Sequence, residues 1–175
     1  IMASILSNLL TKSYTISELM AIDSGRQERA SGCSVVLDNV YHEIQQESIL
    51  EKFKRLFFRD KSMMNIHYVI FKFKVTSNTG NTHTVIIRTH PDYSGTEGLN
   101  NRIQIYCTCK DFQFRSAYVL NKHKSLFRSD STEARLGRAI TEAPKKGHST
   151  SLLCKHAFAA LSYLQNNYSY IMQSL

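Results

Sequence analysis

Four residues of this chain have the types and spacing to hold a metal ion. Cys107 and Cys109 stand two apart in YCTCKDF (106–112). Cys154 and His156 stand two apart in LLCKHAF (152–158), with residues 110 to 153 between the pairs. Three thiolates and one imidazole complete a tetrahedral Zn2+ set, with no position left for a catalytic water. Structural zinc sites in peptides bind with about 10–16 kcal/mol, so such an ion would be coupled to folding. Cys33 is left over and reads as a small buried or half-buried hydrophobe.

These ligands need particular elements beneath them. Side chains two apart on a strand share a face, so a strand over RIQIYCTC (102–109) would turn Cys107 and Cys109 together. Residues two apart inside a helix point about 200° apart. Cys154 and His156 therefore fit only the entrance of a helix over 154–168, whose apolar face carries Phe158, Leu161 and Leu164. Unpaired N–H groups at that entrance favour thiolate over thiol. Ser149, Thr150 or Ser151 is the expected cap.

The rest of the chain supplies a scaffold. NIHYVIFKFKV (65–75) puts Phe71, Phe73 and Val75 on one side with Lys72 and Lys74 between them. TSNTGNT (76–82) reads as a turn, HTVIIRTH (83–90) as the returning strand and PDYSGTEGLN (91–100) as a loop. CSVVLDNVY (33–41) is a further candidate strand. ESILEKFKRLFFRD (47–60) spaces Ile49, Leu50, Phe53, Leu56 and Phe57 as an amphipathic helix. DFQFRSAYVLNKH (111–123) reads as a helix with Phe112, Phe114 and Tyr118 in the core. Asp111 is its expected N-cap, or else a group accepting the free ring N–H of His156.

Together these give an α+β fold: a three- or four-stranded antiparallel sheet packed with two or three helices. Its C-terminal half is a zinc-stapled ββα unit joining strand 102–109 to the last helix. MAIDSGRQERASGC (20–33) is polar and glycine-containing, so residues 1–32 read as an N-terminal arm. Residues 33–175 form the zinc-binding domain, with a basic insertion at 124–151.

The C-x-C…C-x-H pattern of Cys107, Cys109, Cys154 and His156 resembles the SWIM zinc finger. The resemblance implies those four as ligands on a ββα framework, although the spacer here is longer than is usual there. His123 or His148 stands as an alternative to a ligand of the second pair. A weaker resemblance, carried by CTCKDF…CKHAF, is to uncharacterised structural proteins of tailed bacteriophages.

Charge and composition narrow the function. The 175 residues carry a net charge of +8 and 42% apolar residues, which indicates a folded protein with a basic surface. Lys124, Arg128, Arg135, Arg138, Lys145 and Lys146 concentrate cations in the insertion, as phosphate or partner contacts would. No H-E-x-x-H or deaminase pattern occurs, and the start shows neither a basic n-region nor a cleavage-site pattern.

The expectation is a non-enzymatic, zinc-stabilised structural protein of a phage particle, located in the virion and contacting other protein subunits. The second reading is an intracellular SWIM-type nucleic-acid binder. Neither a membrane nor a small-molecule substrate is expected.

Overall fold

The structure, a computed structural model, describes residues 13–45, 66–89, 101–144 and 151–175. The helix expected over 47–60 and the loop over 91–100 lie outside them, as do Lys145, Lys146, His148, Ser149 and Thr150. Four strands form one antiparallel sheet in chain order: β1 (Ser34–Gln45), β2 (Ile66–Thr76), β3 (Thr82–Thr89) and β4 (Ile103–Cys107). The β2–β3 turn closes where predicted, with Gly80 at φ +83 supplying the positive φ that a side chain would resist.

Alternation on β2 sorts the two faces. Val69, Phe71, Phe73 and Val75 point inward, and their partners Val85 and Ile87 on β3 and Ile105 and Cys107 on β4 continue that buried face. The β1–β2 register slips between Leu37 and Asn39. This bulge leaves Asp38 beside Lys74 (2.6 Å) and Lys72 (3.7 Å) on the opposite face.

Five α-helices are present among the described residues: α1 (Ile16–Ile22), α2 (Gln27–Ser31), α3 (Ala117–Lys122), α4 (Asp130–Leu136) and α5 (Lys155–Gln173). The long α5 crosses the inner face of the sheet. Tyr168 meets Phe71 with ring centroids 6.0 Å apart, and Tyr163 meets Phe73 edge-on at 5.9 Å. Leu161 and Leu164 are fully buried in the same layer.

The polar stretch over 20–33 is largely helical, in the end of α1, a 3-10 turn over Ser24–Arg26 and α2. Thr15 and Glu18 form a capping box, and Ile16 and Leu19 are completely buried, with α1 and α2 both packed on α5. Tyr14 lies beside β4, where its carbonyl accepts the Ile103 N–H.

The insertion is likewise built into the fold. Residues 125–127 run beside β4 through bonds from Ile105 N–H to Ser125 (2.8 Å) and from Phe127 N–H to Ile105 (3.0 Å). Leu126, Phe127, Leu136 and Ile140 all join the core.

Candidate metal centre

Cys107 is the last residue of β4, and Cys109 lies just beyond the strand rather than within it. The backbone turns there into a helical stretch that begins at Lys110 and runs as a π-helix over Phe112–Ser116. Cys109 Sγ accepts the Phe112 N–H at 3.3 Å.

On the other side, Cys154 is itself the N-cap of α5. Its backbone is extended, and its Sγ accepts the Ala157 N–H at 3.3 Å. A sulfur thus takes the position expected of a serine or threonine, and Ser151 is buried upstream without that role. The extended N-cap solves the spacing problem, because Cys154 and His156 are not both in regular helix.

The four ligating atoms, three Sγ and one imidazole nitrogen, all lie within 4.8 Å of one another. All four residues are buried, none more than 5% exposed. Burial pushes the Cys107 and Cys154 thiols well above the usual range. Cys109 moves the other way, held low by hydrogen bonds from the Cys107 and Cys154 thiols and by the Phe112 N–H.

The sulfurs therefore favour one thiolate flanked by two thiols. A divalent cation suits such a site because it replaces both protons as the neutralising charge. Neither ring nitrogen of His156 has a hydrogen-bond partner. A buried imidazole left so is costly, and coordination satisfies one of those nitrogens.

Contacts outside the cluster fix the turns that carry it. Thr84 on β3 brackets Thr108, the residue between the two cysteines: Thr108 N–H donates to the Thr84 carbonyl, and Thr84 N–H to Thr108 Oγ1, each at 3.0 Å. Arg135 on α4 donates to the Thr108 carbonyl at 3.2 Å. Asp23, at the end of α1, accepts the N–H of Leu153, immediately before Cys154. The ring of His83 lies against His156 with centroids 4.4 Å apart, and burial with the neighbouring imidazole lowers its pKa.

Of these supporting residues the sequence singles out Arg135 alone, and as a phosphate or partner contact rather than as a brace for the centre. Thr84, Asp23 and His83 carry no local mark of their role. The one legible signal is Thr15-x-x-Glu18, a capping box that announces α1 and so Asp23 at its end.

Asp111 has neither predicted role. It is already helical with no capping bond, and its carboxylate pairs with Arg115 at 3.0 Å and Arg26 at 3.9 Å. The helical stretch starts at Lys110, ahead of Asp111, so Asp111 points along its side rather than at its end. Phe112 is buried against Tyr106, whereas Phe114, two residues on and so on the opposite side of the helical turn, is 61% exposed. His123 is not one of the cluster residues; its ring is tilted against that of Tyr14 with centroids 4.7 Å apart.

Among the described residues, three of the insertion's cations make contacts within the chain. Arg128 pairs with Glu133 (2.7 Å) and Arg138 with Glu142 (3.9 Å), while Arg135 holds Thr108. Lys124 takes φ +54 at the end of α3, a helix-terminating conformation usually filled by glycine.

Fold and cluster together define an α+β domain whose metal-binding centre, three cysteines and one histidine, joins a strand end to a helix start. The family model of the SWIM zinc finger matches residues 99–120 and 146–165, which include all four cluster residues. Over those residues the chain is similar to the SWIM zinc finger. No curated protein and no solved structure matches it. No helix among the described residues is long and apolar enough to cross a membrane.

Proposed function

We propose that this chain is a non-enzymatic binding module whose C-terminal half is held by one Zn2+ on Cys107, Cys109, Cys154 and His156. The observation that carries this reading is the convergence of four buried protein donors. Zinc there would supply charge neutralisation for the thiolates and a cross-link between β4 and α5. A catalytic zinc keeps a coordination position for water, and four protein ligands leave none.

The test is cobalt substitution. A filled tetrahedral sphere of three sulfurs and one nitrogen predicts intense visible d–d bands that do not change on adding azide. A spectrum that shifts with azide would mean an open position and would favour an enzyme.

The partner we propose is another protein subunit. The close Arg128–Glu133 ion pair supports this choice, because it neutralises one of the insertion's cations that the sequence offered to phosphates. The tailed-phage setting rests on the motif resemblance alone. Nucleic acid is the competing partner, and salt separates the two. Counterion release weakens nucleic-acid binding steeply with ionic strength. Binding of a labelled oligonucleotide that is tight at low salt and collapses at high salt would favour the second reading.

A further inference from the structure

Asp23 lies far from the metal cluster in sequence and belongs to none of the elements that carry a ligand. Its carboxylate Oδ2 accepts the N–H of Leu153 at 2.5 Å. Leu153 and Cys154 are both fully buried, so water offers this amide no alternative partner. Asp23 is in turn fixed from its own side. It closes α1 with its N–H on the Leu19 carbonyl, and its carbonyl accepts the Arg26 N–H. Leu19 is buried, which roots that end of α1 in the core.

The position of this bond gives it consequence. Cys154 must be extended while Lys155 is already helical, so its Sγ placement depends on how the chain enters α5. Leu153 is the last residue before that bend. Within the ligand loop the Cys154 Sγ–Ala157 bond holds the helix side of the bend, and Asp23 holds the side that precedes it.

We propose that Asp23 is a positioning residue for the metal centre: by holding the Leu153 amide it sets the Cys154 thiolate for coordination and couples α1 to the bound ion. This rests on the metal reading of the previous subsection. Coupling is reciprocal, so the ion must stabilise α1 as much as α1 stabilises the site. Loss of supporting hydrogen bonds around metal ligands typically costs about 10–100-fold in metal affinity, and Asp23→Ala should fall in that range.

Zn2+ affinity by chelator competition and the Co2+ charge-transfer spectrum test this in the full chain. The variants are Asp23→Ala, Asp23→Asn and Glu18→Ala. Asp23→Asn keeps an acceptor oxygen and should recover most of the affinity. Glu18→Ala loosens α1 at the end away from Asp23 without touching Leu153 and should weaken binding far less than Asp23→Ala. Only Asp23→Ala should shift the thiolate-to-cobalt band.

Parent-like affinity and spectrum in Asp23→Ala would overturn the proposal, as would equal weakening in Glu18→Ala. Should Asp23→Ala fail to fold, hydrogen exchange in the unaltered protein decides. Chelation must speed exchange in Ile16–Ile22 together with Leu153, and unchanged α1 protection contradicts the coupling. A parent that binds no metal would instead refute the underlying metal reading.

Discussion

Arg135 Nη2 donates to the carbonyl of Thr108 at 3.2 Å, so a helix of the insertion holds the turn between the two cysteines of the first pair. The insertion is therefore part of what shapes the centre. Arg135→Ala should weaken metal binding several-fold, because Thr108 would keep its two bonds to Thr84 but lose the one from outside the sheet. Chelator competition reads this directly. Unaltered affinity would reduce Arg135 to a surface contact.

The insertion also supplies core. Leu136 is 2% exposed at the end of α4, and truncating such a leucine costs about 2–5 kcal/mol. Leu136→Ala should lower the denaturant midpoint accordingly. Replacing 126–146 by a Gly/Ser linker should abolish cooperative unfolding. A linker variant that unfolds like the parent would return the segment to the status of a tolerated surface loop.

This segment shows why some of the fold was not legible in the sequence. The sheet was readable because β2 alternates from Phe71 to Val75 and Gly80 marks its turn. In the insertion Leu126 lies on a bridge with Phe127 next to it, Leu136 ends a two-turn helix and Ile140 closes a 3-10 turn, so their spacing has no single period. The N-terminal helices were missed for a related reason. α1 buries only Ile16 and Leu19, too few to show a stripe, and depends on its cap and on α5.

The cluster itself was legible, because two ligand pairs need only a strand end and a helix entrance to meet. Asp111 was misread because a helix starting ahead of it, with a π-helical turn after it, cannot be told from local sequence.

Metal affinity should rise with pH. The raised pKa values of Cys107 and Cys154 mean that both carry protons in the metal-free fold at neutral pH, and binding must expel them. Competition titrations between about pH 6 and 8 should show release of about two protons per ion. A pH-independent affinity would mean that the thiols do not coordinate.

Lys124 adopts φ +54, a left-handed conformation that costs a side-chain-bearing residue about 1–2 kcal/mol. Lys124→Gly should recover about 0.5–1 kcal/mol of this after the extra flexibility of glycine in the unfolded chain. Thermal or denaturant unfolding measures it. A destabilised variant would mean that the lysine side chain makes a contact worth more than the backbone strain.

Removing the metal should loosen the fold unevenly. Amides of residues 107–112 and 152–158 should exchange faster after chelation, whereas the β1–β2 pairing at Val36–Lys74 should keep its protection. Uniform loss would make the domain one cooperative unit. No change would mean that the ion is not structural.

The most direct test of the account is the metal content of the purified chain, measured by native mass spectrometry alongside elemental analysis. It predicts one Zn2+ per chain, lost together with the order of residues 107–112 and 152–158 when Cys107 and Cys154 are both changed to serine. A folded chain without zinc, or full zinc retention in that double variant, would contradict it.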